Sequence, residues 1–107
     1  MPLMTAPPWP VEQTIRKLGA NLRTARLRRN LSLREVAGKI GVERHTVSAA
    51  EGGKPSTGIA VYAAMLWVLG LEGQLAQVAD PSGGDEGSAL ARSRERLRAS
   101  REPGDEF

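Results

Sequence analysis

The stretch that decides the fold is Leu31-Ser32-Leu33-Arg34-Glu35-Val36-Ala37-Gly38-Lys39-Ile40-Gly41-Val42-Glu43-Arg44-His45-Thr46-Val47-Ser48-Ala49-Ala50. Ser32 is a strong helix N-cap, and Glu35 stands three residues on, where it completes a capping box. The helix so opened, Leu33 to Ile40, stops at Gly41, a residue free to take positive φ. A second short helix follows over Glu43 to Glu51, ended by Gly52 and Gly53. Ala37 falls where the two helices must cross closely, and a larger side chain there would push them apart. Val36, Ile40, Val42 and Val47 supply the apolar wedge between them. A small residue, a four-residue step to glycine and a β-branched residue six further on give two short helices across a tight corner, with Ala37, Gly41 and Val47 as structural positions.

Outward from this corner the chain reads as helical throughout. Ile15, Leu18, Leu22 and Ala25 recur at three- and four-residue steps, so a helix is expected from Val11 to Arg29, with Asn30 ending it. Ser56 or Thr57 can cap a helix over Gly58–Leu69, closed by Gly70. A last short helix is expected over Glu72–Val78. No stretch sustains the alternation of a strand. Residues 1–10 hold four of the seven prolines and read as an extended arm. Residues 81–87 read as a linker. Ser88–Arg101 offers only Leu90 and Leu97 as large apolar side chains, so even as a short helix it cannot stand alone. The expected division is therefore an arm over 1–10, a globular domain over 11–80, and a linker with a disordered, Arg-rich tail over 81–107.

Composition narrows the function. The 107 residues suit one domain, and with 4% aromatic residues its core must come from aliphatic side chains. With no cysteine and one histidine, a disulfide scaffold, a thiolate zinc site and cysteine catalysis are excluded, and no metal or cofactor is expected. His45 has no Ser/Asp companion, no phosphate-cradling glycine loop is present, and the carboxylates are scattered, so no catalytic residue is expected. Met1–Pro10 has neither the basic nor the continuous apolar region of a signal peptide. The apolar stretch Gly58–Leu71 is 14 residues, short of the ~18 that would span a bilayer. A cytoplasmic protein without membrane contact is expected. The overall charge of +3 hides a polarity: Arg16–Lys54 carries ten basic residues against three acidic ones, a balance of +7. That is the footprint of a phosphate-backbone binder, although a solvated cationic surface accounts for it equally well.

The corner settles between these, because it is the pattern of a helix-turn-helix, whose second helix enters the major groove of double-stranded DNA. With Val42 and Val47 turned inward, Glu43, Arg44, His45, Ser48 and Ala49 face outward and Thr46 lies at the margin. Arg44 is the first choice for base reading, since a guanidinium can bond guanine O6 and N7 together. His45, Ser48 and Ala49 complete the base-reading set, and Glu43 reads as an N-terminal helix charge rather than a base acceptor. Arg34, Thr46, Ser48 and Lys54 are the phosphate-binding candidates. Arg26, Arg28 and Arg29 read as long-range attraction or as a solvated face. The segment Gly58–Leu71 is apolar nearly all round. A helix with no polar face is normally buried on both sides, so a homodimer is expected, with Tyr62, Met65, Trp67 and Leu69 at its interface; a fully buried central helix in a monomer is the alternative.

Leu31–Val42, with Arg44, Thr46-Val47-Ser48, Glu51 and Gly53-Lys54-Pro55-Ser56, resembles the Cro/phage-repressor (XRE) family over residues 15–72. The resemblance implies an all-α, five-helix phage-repressor-like domain that represses transcription by occupying an operator. Within that family Gly58–Leu71, with Tyr62 to Gly70, is similar to HipB-like antitoxins. This implies an antitoxin that binds a HipA-like kinase toxin and autoregulates its operon. Many members carry a DNA-contacting Gln where this chain has Leu33, and Arg34 is the replacement expected here. A protein-interaction module that neutralises a partner enzyme is the alternative. An RNA binder is disfavoured, because the aromatics Tyr62 and Trp67 read as buried rather than free to stack.

Overall fold

A computed structural model of the chain describes residues 7–83 and 93–98. The protein is all-α, and the described residues contain no strand. In chain order the helices are α1 (Trp9–Arg28), α2 (Leu33–Ile40), α3 (Arg44–Glu51), α4 (Ile59–Val68) and α5 (Glu72–Ala76). The residues divide into two compact units between Leu75 and Ala76. In the second unit, residues 93–98 are helical, within the segment that could form a short helix. The expectations for residues 1–6, 84–92 and 99–107 lie outside the described residues.

Each boundary has a local cause. α1 starts two residues before Val11, inside the stretch read as an arm, with Pro10 in its first turn. A first-turn proline forfeits only an N–H that no helical carbonyl would accept. Asn30, at φ 57°, turns the chain out of α1, and asparagine is among the few non-glycine residues that tolerate this conformation. The Leu31 N–H then returns to Arg26 O at 3.2 Å. α2 begins with the expected capping box: Glu35 N–H donates to Ser32 Oγ at 3.0 Å and Ser32 N–H donates to Glu35 Oε1 at 2.8 Å. The Ser32 N–H bond, followed by the Ser32 side chain beside it, stabilises the charged form of Glu35, so its carboxyl lies below the ordinary glutamate range, with a smaller contribution from Lys39. At the far end Gly41 takes φ 77°, and its N–H bonds Ala37 O at 2.9 Å.

The core lies where four helices meet. Leu22 of α1, Val36 and Ala37 of α2, Val47 and Ala50 of α3, and Tyr62, Met65 and Leu66 of α4 are all buried, together with Leu69 just beyond it. α3 packs on α1 and α2, and α4 packs on α2 and α3. Two glycines set how closely α1 approaches the end of α3. A Cβ on Gly19 would lie 2.6 Å from Ala50 O, and one on Gly53 would lie 2.7 Å from the Arg16 Cα. Neither position accepts a side chain without moving backbone. α3 is thus held by α1, α2 and α4, which leaves its remaining face free.

Arg26 corrects its sequence reading as a solvated or long-range charge. It is 7% exposed, and its guanidinium is fully engaged. Nε and Nη2 donate to the Glu51 carboxylate at 2.7 and 3.0 Å, and Nη1 donates to Leu31 O at 2.8 Å. The pair ties α1 to the last residue of α3 and to the turn before α2. The Glu51 hydrogen bond holds the Arg26 guanidinium above its already high ordinary pKa, against the opposing effect of burial.

Candidate nucleic-acid interface

The free face of α3 is built by its periodicity. Val47 and Ala50 are fully buried, so the residues between them turn outward. Arg44, His45 and Ser48 are exposed, while Thr46 and Ala49 are half-buried at the edge of the face. The base-reading candidates therefore share one surface, with Ala49 at its margin. Glu43 is the N-cap residue of α3, but its side chain makes no capping bond. Its carboxylate approaches His45 Nδ1 at 3.6 Å, with both side chains about 80% exposed.

Arg34, in the first turn of α2, and Arg44, in the first turn of α3, line one open concavity with Ser32, Leu33 and Arg26. The structure so brings a phosphate candidate beside the leading base-reading candidate. The Arg26 guanidinium on this concavity is committed to Glu51, which leaves Arg34 and Arg44 as its exposed cations. Lys54 is exposed beyond the end of α3, with its backbone N–H on Ala49 O at 3.1 Å. Elsewhere on the domain, Arg16, Lys17, Arg23, Arg28 and Arg29 of α1 and its end are exposed. Arg29 bonds back to Ala25 O at 2.8 Å, and Arg16 lies 3.7 Å from Glu12.

α4 separates differently from the expected interface. Tyr62, Met65 and Leu69 are 5%, 1% and 6% exposed and belong to the core of this subunit. They cannot face a second copy while packed there. Trp67 alone of that set is exposed, at 61%, and Ile59, at the other end of α4, is 66% exposed. Because α4 is apolar on every side, its sequence carries no periodicity to tell the inner face from the outer. Trp67 also departs from the buried aromatic assumed in setting aside an RNA binder. Tyr62 is buried as expected, and its hydroxyl has no hydrogen-bond partner among the described residues.

Among the described residues, no group of three or more His, Cys, Asp or Glu side chains could hold a metal ion. No described helix is long and apolar enough to cross a membrane.

Two short helices joined at a left-handed glycine, the second with its polar face outward amid excess positive charge, define a helix-turn-helix DNA-binding protein. The family model for the helix-turn-helix domain matches residues 17–79, more than half of the chain, and the chain belongs to that family. Domains of this kind are typically non-enzymatic. Among curated proteins and among solved structures, nothing matches the chain.

Four features escaped the sequence reading. Gly19 read as one more residue of a helix interior, and Gly53 only as a helix stop. The Arg26–Glu51 pair joins positions 25 residues apart and has no local signal. Ile59 was hidden in the uniform apolarity of α4.

Proposed function

We propose that the protein is a sequence-specific double-stranded DNA-binding transcriptional regulator, a cytoplasmic repressor that occupies its operator as a homodimer. The observation that carries this reading is the placement of Arg44 on the free face of α3, beside Arg34 in one cationic concavity. α3 enters the major groove. There Arg44 reads guanine, with His45, Ser48 and Ala49 along the same face. Arg34, Thr46, Ser48 and Lys54 hold the phosphates on either side and fix the register. Two copies related by a two-fold axis, meeting through Trp67 and Ile59, suit half-sites a helical turn apart.

The resemblance of Gly58–Leu71 to HipB-like antitoxins extends the proposal. The protein pairs with a HipA-like kinase and represses the operon that encodes both. A second reading, an interaction module whose main task is to neutralise a partner enzyme, is favoured by the exposure of Trp67 and Ile59. Arg44→Ala separates the two. The regulator reading expects operator binding to collapse in this variant while the kinase, taken from the neighbouring reading frame, is still bound. Wild-type protein that binds the kinase but no duplex DNA would establish the interaction module instead. A neighbouring frame without a kinase removes the antitoxin role and leaves the repressor.

A further inference from the structure

We infer that Glu43 is a specificity-determining residue that selects a cytosine in each half-site by accepting a hydrogen bond from its exocyclic amine. The inference rests on the DNA-binding reading above and adds a base identity to it. Glu43 occupies the N-cap position of α3, where aspartate, asparagine or serine ordinarily bonds a free helix N–H. Here that bond is absent, and the Glu43 side chain is 81% exposed. Apart from His45 Nδ1 at 3.6 Å, itself on an exposed side chain, the carboxylate faces solvent at the tip of α3, next to Arg44.

The surroundings restrict what a carboxylate can meet there. Phosphates repel it, so it has no positioning role on the backbone. In the major groove only cytosine N4 and adenine N6 offer donors, while guanine and thymine present acceptors at the corresponding places. Adenine sets its amine beside the N7 acceptor, which opposes a second negative oxygen. Cytosine has no such neighbour. A guanine in a neighbouring pair supplies O6 and N7 to the Arg44 guanidinium. Glu43 and Arg44 together thus match the donor and the acceptors of C·G-containing sequence.

A carboxylate at this place also acts by exclusion. Taken into the groove without a donor it loses water and gains nothing, so other bases are penalised rather than merely unrewarded. Affinity and specificity should then move in opposite directions when it is removed. A purely structural helix charge would not produce that signature.

The test is selection from a random duplex library by the full chain, comparing wild type with Glu43→Ala, Glu43→Gln and His45→Ala, each checked for folding by thermal melting. Wild type is expected to enrich sites with one C·G pair per half-site, preferred roughly five- to a hundredfold over other pairs. Glu43→Ala should flatten that position alone while binding a non-cognate duplex more tightly than wild type. Glu43→Gln should move the preference toward adenine, whose N6 and N7 suit an amide. The inference is overturned if Glu43→Ala enriches the same sites with the same preference at every position. It is equally overturned if His45→Ala abolishes the cytosine preference, which would assign it to the imidazole. A wild type that enriches no duplex overturns the DNA-binding reading itself, and this inference with it.

Discussion

Arg26 and Glu51 show how one pair of charges can hold the reading helix in place. Their side chains are 8% and 5% exposed, so each charge has been taken out of water and depends on the other. Breaking such a pair strands a buried charge, which costs about 3–5 kcal/mol, whereas replacing both members by apolar residues costs far less. Arg26→Ala should therefore lower stability by several kcal/mol in urea unfolding, and Arg26→Met combined with Glu51→Leu should recover most of the loss. Equal losses in the single and double variants would mean that the two side chains do not act as a unit. Arg26 lies four residues beyond Leu22, on the inward face of α1 that Arg23 and Arg28 do not share, but nothing local names its partner, which comes from another helix. Residue-scale chemistry of this kind is invisible until the helices are packed.

At the scale of elements, the glycines separate two physical demands. Gly41 has φ 77° with open space around it, while Gly19 has ordinary helical backbone but no room for a Cβ. Gly41→Ala should cost about 1–2 kcal/mol of backbone strain and leave the packing intact. Gly19→Ala forces α1 away from the end of α3 and should cost more, as well as weakening DNA binding by displacing the helix that reads. Comparing the two by chemical unfolding checks the order. The Ser32–Glu35 box makes a pH prediction for α2. The carboxyl of Glu35 is held below the ordinary glutamate range by bonds that favour its charged form. That stabilisation is complete above the unfolded-state value of ~4.3 and is lost as pH falls through the lowered folded value. Glu35→Gln keeps a side-chain acceptor and removes the titration, so its melting temperature should fall less than that of wild type between neutral pH and pH 3.

The α2–Gly41–α3 corner was legible because its determinants are local: an N-cap, its reciprocal glutamate, a glycine and alternating burial. The bounds Leu33–Ile40 agree with the sequence reading, and α3 starts one residue later only because Glu43 is its cap. α1 began early because Pro10 reads as a breaker although its place in the first turn makes it a starter. α4 was legible as a helix but not as a face. Tyr62, Met65 and Leu69 differ from Trp67 in burial, not in apolar character, and only the packing against α2 and α3 sorts them.

At the scale of the whole molecule, the exposed Trp67 and Ile59 and the cationic face of α3 make separate predictions. Homodimerisation through α4 requires Trp67 to be covered in the pair. Trp67→Ser should leave the melting temperature of the subunit little changed while shifting sedimentation from dimer to monomer. A wild-type chain that sediments as a monomer at tens of micromolar, or a serine variant that remains dimeric, would remove α4 from the interface.

The central claim is that the free face of α3 reads a duplex, and it is tested most directly by equilibrium binding of the chain to its selected DNA across a range of salt, with and without Arg44→Ala. The wild type should lose affinity steeply, log K falling by about 0.9 for each phosphate neutralised per tenfold rise in salt. Arg44→Ala should bind the selected site roughly five- to a hundredfold more weakly at every salt concentration, with its fold intact. A salt-insensitive wild type whose affinity Arg44→Ala leaves unchanged would contradict the account.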